Sequence, residues 1–385
     1  MVKAITVPAT KEHSKHAKLV RAGLGEWGRT ELALLGAPCP VIRDFAESII
    51  ARLSANWKIA WADADHHAEE VMPGFGSALQ FTDKISYTRI DSGTALSRSQ
   101  KHALFSHCDA VWVNGNHFRA KQQMLFIDPA KSMAAKLELL SDVRLVVLKD
   151  GDTLIPEYLQ QLIVGLPVLL LDETDKIIDF FEQNLLAQVP PLNGLVLAGG
   201  QSLRMGRDKG LLDYYGIPQR EHMRAMLRSF CKEVFLSCNP SQGNDIQAPR
   251  IEDRFLGIGP MGGILSAMQA DPCSAWLVVA CDLPHLSRLT LEHLLAHRNP
   301  SRLATAFKEP GGSFPEPLIT IWEPRAFPVL LQALSEGFSC PRKVLMASDI
   351  ELLDAPDPAE LQNVNDPAAY SQALLRLNIH PNDNL

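Results

Sequence analysis

Short apolar runs alternate with longer amphipathic segments along most of this chain. Six runs in the first half predict buried strands: Glu31–Leu35, Lys58–Ala62, Ala110–Asn114, Met124–Ile127, Arg144–Leu148 and Val168–Leu171. Five runs in the second half predict the same: Gly194–Ala198, Glu233–Ser237, Trp276–Ala280, Leu303–Phe307 and Pro317–Trp322. Strands that alternate with helices form parallel sheets covered by those helices. The pattern predicts the α/β class, with two three-layer α/β/α domains and mainly parallel sheets.

The pattern breaks near the middle of the chain. A helix-like segment, Lys176–Leu186, is followed by Pro190 and Pro191, which cannot continue a helix. The next strand candidate starts directly afterwards. Because 385 residues exceed the usual size of one hydrophobic core, we predict one domain over 1–188 and a second over 192–385.

Composition and charge describe an ordinary globular protein, with 46% hydrophobic and 21% charged residues. The formal net charge of −7 argues against broad nucleic-acid binding. The seven cysteines are odd in number and form no C-x-x-C pair, which favours a reducing cytosol over a disulfide framework. No run of signal-peptide or membrane-span length is visible. We therefore expect a cytoplasmic protein with neither nucleic-acid nor membrane partners.

The chemistry is concentrated in the segment LAGGQSLRMGRDKG, Leu197–Gly210, which follows a predicted buried strand. Gly199 and Gly200 let the backbone turn sharply and approach a ligand closely. Backbone N–H groups in such a loop can surround anionic oxygens, while Arg204 and Lys209 add positive charge. A glycine turn with solvated basic residues is the plainer interpretation, but the whole string favours a loop for a nucleoside triphosphate.

Two further groups follow predicted strands of the second half. Asp253 precedes GIGPMGG, Gly257–Gly263, whose small residues and helix start suit a nucleotide, although a helix-capping turn fits equally well. Asp282 follows the apolar run Val278–Cys281. A single Asp at the end of a strand is more often a cap or turn residue. After a phosphate loop, however, its carboxylate suits Mg²⁺.

The segment NVNDP, Asn363–Pro367, places two amides on alternate positions. If the segment is extended, both amides lie on one face. Asn365 and Asp366 also fit an N-cap for the last helix, so both interpretations stay open.

Together these segments resemble the molybdenum cofactor guanylyltransferase family, part of the sugar-nucleotidyltransferase-like group. The resemblance covers about 192–377 and rests on LAGGQSLRMGRDKG, IEDRFLGIGPMGG, ACDLP, EPLITIW and NVNDP. It implies a Rossmann-like nucleotidyltransferase fold for the second domain. It also implies transfer of GMP from Mg-GTP to the terminal phosphate of molybdopterin, which yields the guanine dinucleotide cofactor and pyrophosphate.

The residues and the resemblance give a set of candidate site residues. Candidates for nucleotide binding are Leu197, Ala198, Gly199, Gly200, Ser202, Lys209, Asp253 and Gly262. Candidates for catalysis are Arg204, Lys209 and Asp282, with Asp282 also as the magnesium ligand; Asn363 and Asn365 are candidates for the pterin side. One departure concerns Ser237, which stands where the family often has Asn, and Asn239 follows two residues on.

Two alternatives to guanylyl transfer stay open. One is a related nucleotidyltransferase that uses CTP, or a sugar phosphate with another nucleotide; LAGG rather than LAAG, through Gly199, favours GTP. The other is a non-catalytic carrier of the cofactor, against which the retained charges of Arg204, Lys209 and Asp282 argue.

The first half contains a strand, a loop and a helix in the order of a P-loop, but it lacks the P-loop residues that bind phosphate. In the segment from Gly36, the residues Val41, Ile42 and Arg43 stand where a Walker motif needs Gly, Lys and Ser or Thr. The half weakly resembles the molybdopterin-guanine dinucleotide adaptor family over about 30–175. The resemblance implies a degenerate adaptor that binds the cofactor, a molybdenum cofactor biosynthesis protein or a molybdoenzyme, or mediates a homodimer, without nucleotide hydrolysis. An unrelated α/β domain is the alternative.

Four residues after a strand of the first half raise the question of a metal site. Asp63, Asp65, His66 and His67 are suitable ligand types. Because adjacent residues of an extended chain point to opposite sides, both imidazoles cannot easily share one ion. Surface histidines are the favoured interpretation.

Overall fold

A computed structural model describes residues 18–65, 79–198 and 209–377 of the chain. Six of the residues singled out above, Gly199, Gly200, Ser202, Arg204, His66 and His67, lie outside these ranges. The first half contains β1 (Glu31–Leu35), α1 (Cys39–Leu53), β2 (Ile59–Ala62), β3 (Leu79–Lys84), β4 (Tyr87–Ser92), α2 (Arg98–Phe105), β5 (Ala110–Asn114), β6 (Gln122–Ile127), β7 (Val143–Leu148), α3 (Glu157–Gln160), β8 (Val168–Leu170) and α4 (Thr174–Ala187).

The second half continues with β9 (Leu192–Leu197), α5 (Gln219–Leu227), β10 (Val234–Cys238), β11 (Arg250–Glu252), α6 (Pro260–Ala270), β12 (Ala275–Ala280), α7 (Arg288–Ala296), β13 (Ala304–Lys308), β14 (Pro315–Trp322), α8 (Ala326–Ser335), α9 (Pro341–Met346), β15 (Glu351–Leu353) and α10 (Pro367–Arg376). Every predicted strand is present, with ends that differ by no more than two residues from the prediction.

The first sheet has the strand order β2-β5-β1-β6-β7-β8 in the described part of the chain, and all its pairs are parallel. Side chains of successive residues in β1 enter cores on opposite faces: Leu34 packs with α1 and α4, whereas Leu35 packs with Leu159 of α3. This alternation follows from the two-residue period of a strand. Strands β3 and β4 form a separate antiparallel hairpin.

The second sheet has the order β11-β10-β9-β12-β14-β13-β15 within the described residues. Strand β14 is antiparallel to both of its neighbours, and the other pairs are parallel. In β12, Leu277 and Val279 pack toward α5 and α7, while Trp276 and Val278 pack toward α6, α8 and α9. Both sheets are therefore covered on two faces, which confirms the predicted fold class.

Four strands were not predicted. The hairpin of β3 and β4 carries polar residues on alternate positions, and β11 and β15 are three-residue strands at the two edges of the second sheet. Such short edge strands contain too little apolar pattern to be recognised along the chain. Across the described ranges, no helix combines the length and the apolar character that a membrane span requires.

Candidate active site at the carboxyl edge of the second sheet

The parallel strands β9, β10 and β12 end at the same edge of the second sheet. The N–H of Ala198 donates to the carbonyl of Ser237 at 3.1 Å, and the N–H of Cys281 donates to the carbonyl of Leu197 at 3.3 Å. Leu197 and Ala198 are buried. The chain thus leaves β9 between its two neighbours, where an open α/β sheet offers a crevice for ligands.

Lys209 joins three distant parts of the chain at this edge. Its Nζ donates to Asp282 Oδ2 at 3.1 Å and to Asn365 Oδ1 at 2.5 Å. A backbone hydrogen bond also links the NVN segment to the turn after β12: the N–H of Val364 donates to the carbonyl of Asp282 at 2.8 Å. The Lys209 and Asp282 side chains are 20% and 14% exposed, so their charges interact with little screening by water. The structure therefore brings together residues that are far apart in the sequence.

The second oxygen of Asp282 has no protein partner in the described part of the chain. Asp282 Oδ1 is buried and has no hydrogen-bond partner within the described residues. A buried carboxylate oxygen without a partner costs free energy unless a bound ligand supplies a positive charge or a donor. Carboxylate and amide oxygens are suitable ligands for Mg²⁺, so Asp282, with Asn365 nearby, fits a magnesium ion.

The capping alternatives are resolved by the observed helix ends. The hydroxyl of Ser287 accepts the N–H of Thr290 at 3.2 Å and caps α7, so Asp282 is not needed there. Asp366 Oδ1 accepts the N–H of Ala369 at 2.8 Å and caps α10. In the NVNDP segment the cap is therefore Asp366, and Asn365 is left to contact Lys209.

Asp253 lies at the edge beside β10. The hydroxyl of Ser237 donates to Asp253 Oδ1 at 2.7 Å. Burial raises the pKa of Asp253, and the hydrogen bond from Ser237 opposes part of that effect. Ser237, which departs from the family pattern, therefore holds the carboxylate in place.

The helix α6 packs closely against this edge. A Cβ atom on Gly263 would lie 2.5 Å from Ser237 Oγ and 2.8 Å from Leu197 Cδ2, so a larger residue would require these side chains or the helix to shift. Gly262 is buried in the first turn of the same helix. Its role as a nucleotide contact stays a prediction.

Tyr214, which sequence reasoning had not assigned, lies near Asp282, as does Asn363, a predicted pterin-side residue. The hydroxyl of Tyr214 is buried without a partner among the described residues, as is Asn363 Oδ1. Burial, followed by the charges of Tyr370 and Asp282, raises the pKa of Tyr214. Nothing in the sequence around Tyr214 indicates this position, because its neighbours come from the end of β12 and from α10.

Glu316 is a second buried carboxyl group beside Asp282. It accepts the N–H of Leu318 at 3.1 Å and pairs with Arg342 at 3.3 Å, and Arg342 also pairs with Glu309 at 2.7 Å. Burial raises the pKa of Glu316, the Leu318 and Arg342 contacts lower it, and the charge of Asp282 raises it further. The family resemblance includes this strand through the EPLITIW segment, but it assigns no role to Glu316, the first residue of that segment.

The three residues that stand at Walker positions in the first half can be located in the structure. Strand β1 ends at Leu35 and helix α1 begins at Cys39, so Val41, Ile42 and Arg43 lie in the first turns of the helix. Ile42 is fully buried, and Arg43 pairs with Asp63 at 3.4 Å. In the described ranges no group of three or more Asp, Glu, His or Cys side chains could hold a metal ion. His66 and His67, two of the four residues considered as metal ligands, lie outside those ranges.

Comparisons with known proteins concern the second half of the chain. The family model for the MobA-like NTP transferase domain matches residues 194–351. A molybdenum cofactor guanylyltransferase of Pseudomonas putida is 30% identical over 187 residues, which are 46% of this chain and 95% of that protein. The chain belongs, through this half, to the molybdenum cofactor guanylyltransferase family. It is a nucleotidyltransferase.

Other relatives share the same half. A molybdenum cofactor biosynthesis bifunctional protein of Synechocystis is 38% identical over 185 residues. That match covers 47% of this chain and 53% of the relative, so the chain spans about half of the length of that protein. A crystal structure of molybdopterin-guanine dinucleotide biosynthesis protein A from Archaeoglobus fulgidus is similar with a TM-score of 0.41 and 21% identity, over 48% of this chain and 98% of that one.

Proposed function

We propose that this protein transfers GMP from Mg-GTP to the terminal phosphate of molybdopterin. The observation that carries the proposal is the convergence of Lys209, Asp282 and Asn365. This cluster joins the end of the glycine loop, a strand-end carboxylate and the NVN segment within hydrogen-bonding distance. The names of the family members support GTP and molybdopterin as the substrates.

The transfer needs no dedicated base. A phosphate monoester has a second pKa near 6, so the pterin phosphate is largely ionised at neutral pH. Its oxygen attacks the α-phosphorus of GTP, a new P–O bond forms, and the bond to the β-phosphate breaks with pyrophosphate as the leaving group. The protein must therefore align two anions and reduce their mutual repulsion.

Lys209, Asp282 and Asn365 have separate roles in this transfer. The ammonium group of Lys209 neutralises charge on the triphosphate and keeps its orientation through Asp282 and Asn365. Asp282 Oδ1 is free to hold a magnesium ion, which supplies positive charge to the phosphates when it is bound. The amide of Asn365 offers a donor to the pterin side. Arg204 and the glycines of the loop complete the proposed nucleotide site.

The proposal is tested by the release of pyrophosphate from Mg-GTP and molybdopterin. Lys209→Ala should lower the rate by at least about 100-fold, because it removes a charge that acts on the transferred phosphoryl group. Asp282→Asn should cause a loss of similar size. Lys232→Ala is the matched control: Lys232 is exposed just before β10, at the opposite edge of the sheet, and its loss should change nothing.

An unchanged rate in Lys209→Ala and Asp282→Asn would favour the alternative of a non-catalytic cofactor carrier. A loss in the Lys232→Ala control of the same size would show that the assay reports folding rather than the site. Circular dichroism of each variant separates these outcomes.

For the first half we propose a degenerate adaptor that binds the cofactor, a molybdenum cofactor biosynthesis protein or a molybdoenzyme, without holding a nucleotide. The burial of Ile42 and the short connection before α1 support the absence of a phosphate cradle. Pro40 in the first turn also removes one backbone donor. The cytoplasmic location expected from the cysteine pattern stays a prediction.

We further propose that this half forms the homodimer contact. Leu79, Phe81 and Ile90 lie on one face of the β3–β4 hairpin and are 59%, 67% and 54% exposed. An apolar face of this kind on a projecting hairpin suits a second copy of the chain. Sedimentation should give a dimer for the wild type and a monomer for Phe81→Asp; a monomeric wild type would refute the contact.

A further inference from the structure

A thiol, an imidazole and an amide meet in the first half, away from the nucleotidyl-transfer site. Cys39 Sγ lies 3.3 Å from His117 Nε2, and Asn116 Nδ2 donates to the same sulfur at 3.5 Å. Asn116 Nδ2 also donates to the carbonyl of Ala37 at 3.0 Å, which ties the amide to the turn before α1. Cys39 is partly exposed, so a small molecule can reach it.

The two backbone turns that carry these side chains, one after β1 and one after β5, are both fixed by the fold. Gly36 has φ +98°, and a Cβ there would lie 2.2 Å from the carbonyl oxygen of Phe126; the tight turn after β1 therefore requires glycine. Opposite it, Asn114 Oδ1 accepts the N–H of Asn116 at 3.1 Å, and the N–H of His117 donates to the carbonyl of Asn114 at 3.0 Å. Both partners of Cys39 thus have fixed backbone positions.

One nitrogen of the Asn114 side chain, next to the cluster, is left without a partner among the described residues. Asn114 is fully buried, and its Nδ2 has no hydrogen-bond partner among the described residues. An amide group buried in this way costs free energy. The position of this amide at the end of β5, close to Asn116, points to a binding site rather than to packing alone.

Lys131 and the amino end of α1 contribute positive charge near the thiol. Lys131 is close enough for its charge to interact with that of Cys39, and burial, the larger effect, lowers the pKa of Lys131. Arg43 lies one helical turn from Cys39 on α1 and pairs with Asp63. Cys39 also occupies the first turn of a 15-residue helix, where the helix dipole favours negative charge.

We propose that Cys39 is a thiol–disulfide exchange site whose substrate is a small, anionic organic disulfide. His117 takes the proton of the thiol, and the sulfur attacks one sulfur of the disulfide. A new S–S bond forms as the old one breaks, and the leaving thiolate receives the proton from His117. The products are a mixed disulfide on Cys39 and one free thiol, so the disulfide itself is the oxidant.

Three of the other cysteines are disfavoured as nucleophiles by burial. Burial raises the pKa of Cys108 and of Cys238, and raises the pKa of Cys231 to about 12, which makes these thiols poor nucleophiles at neutral pH. Cys340 is exposed and serves as an internal reference for an accessible thiol.

The test is the rate at which each cysteine of the full chain reacts, measured by peptide mass spectrometry. With a short pulse of iodoacetamide at neutral pH, Cys39 should react at least about tenfold faster than Cys340. With glutathione disulfide, Cys39 should gain one glutathione that dithiothreitol removes. Cystamine, a cationic disulfide, should react more slowly with Cys39, and Lys131→Met should reduce that difference.

Variants of the imidazole distinguish an exchange site from an accessible cysteine. His117→Ala should lower the ratio of the Cys39 rate to the Cys340 rate by about tenfold. His117→Gln preserves size and polarity but cannot take the proton, so it should have the same effect if the alanine variant does not fold. Cys39→Ser should leave GMP transfer unchanged, and Lys209→Ala should leave Cys39 reactivity unchanged. Equal rates for Cys39 and Cys340, or a ratio that does not respond to either His117 variant, would overturn the proposal.

Discussion

At the scale of single residues, folding buries the carboxyl group of Glu316 and raises its pKa above 4.5. Protonation of this carboxyl group is therefore easier in the folded protein than in the unfolded chain. The stability that this group contributes is fully present below pH 4.5 and is lost as the pH rises through the raised pKa.

Glu316→Gln should remove this dependence, because glutamine keeps the shape of the side chain and cannot ionise. The free energy of unfolding of the wild type should fall relative to that of the variant as the pH rises from about 4 to 7. Urea unfolding at several pH values measures the difference. Glu292→Gln, on the exposed side of α7, is the control. Parallel curves for the wild type and Glu316→Gln would contradict the expected effect.

Part of the site could be predicted from local sequence. Lys209 and Asp282 each follow a strong apolar strand, and the NVN segment is itself distinctive, so their convergence follows from strand ends that share one edge. Tyr214 and Arg342 could not be found in this way, because the groups that they approach are remote in the chain. The role of Ser237 could not be inferred either: its hydrogen bond to Asp253 depends on the register of β10 with β11.

At the scale of elements, α6 packs closely on the sheet because Gly263 has no side chain. Gly263→Ala should push the helix away from Ser237 and Leu197, at a cost of about 1–3 kcal/mol in the free energy of unfolding. It should also raise the KM for GTP, since Asp253 is held by Ser237. Urea unfolding and steady-state kinetics measure the two effects.

Gly151→Ala is the matched control for this change, since a Cβ at Gly151 meets no atom within 4 Å. Its stability should equal or slightly exceed that of the wild type. If Gly263→Ala were equally neutral, the close approach of α6 would not matter to the fold.

The central strands could be predicted because both of their faces are buried, which produces continuous apolar runs. Strands β11 and β15 have three residues each and lie at sheet edges, where little apolar surface is needed. The antiparallel direction of β14 also leaves no mark in its sequence. It depends on how the chain returns to the sheet after β13.

At the scale of the whole molecule, the two halves meet through buried charges. Arg325 donates to Asp109 at 2.6 Å, with side-chain exposures of 16% and 5%, and the hydroxyl of Ser301 donates to the same carboxylate at 2.7 Å. A cavity of about 420 Å³ between the halves is lined by residues of both. The division into domains at 188–192 stays a prediction, and limited proteolysis of the full chain would test it.

We predict one nucleotide site in the full chain, because the first half is proposed to lack a phosphate cradle. Calorimetric titration with Mg-GTP should give one equivalent bound per chain. Lys209→Ala should weaken this binding, because the variant loses a charge on the triphosphate. Two equivalents, or tight binding retained in Lys209→Ala, would indicate a nucleotide site in the first half.

The central claim concerns the nucleotide that is transferred and its acceptor. The most direct measurement mixes the protein with magnesium, molybdopterin and equal amounts of the four ribonucleoside triphosphates, and identifies the product by mass spectrometry. We predict the guanine dinucleotide of molybdopterin together with pyrophosphate, and no product with Lys209→Ala. A cytosine dinucleotide, or no product from any triphosphate with the wild type, would contradict the account.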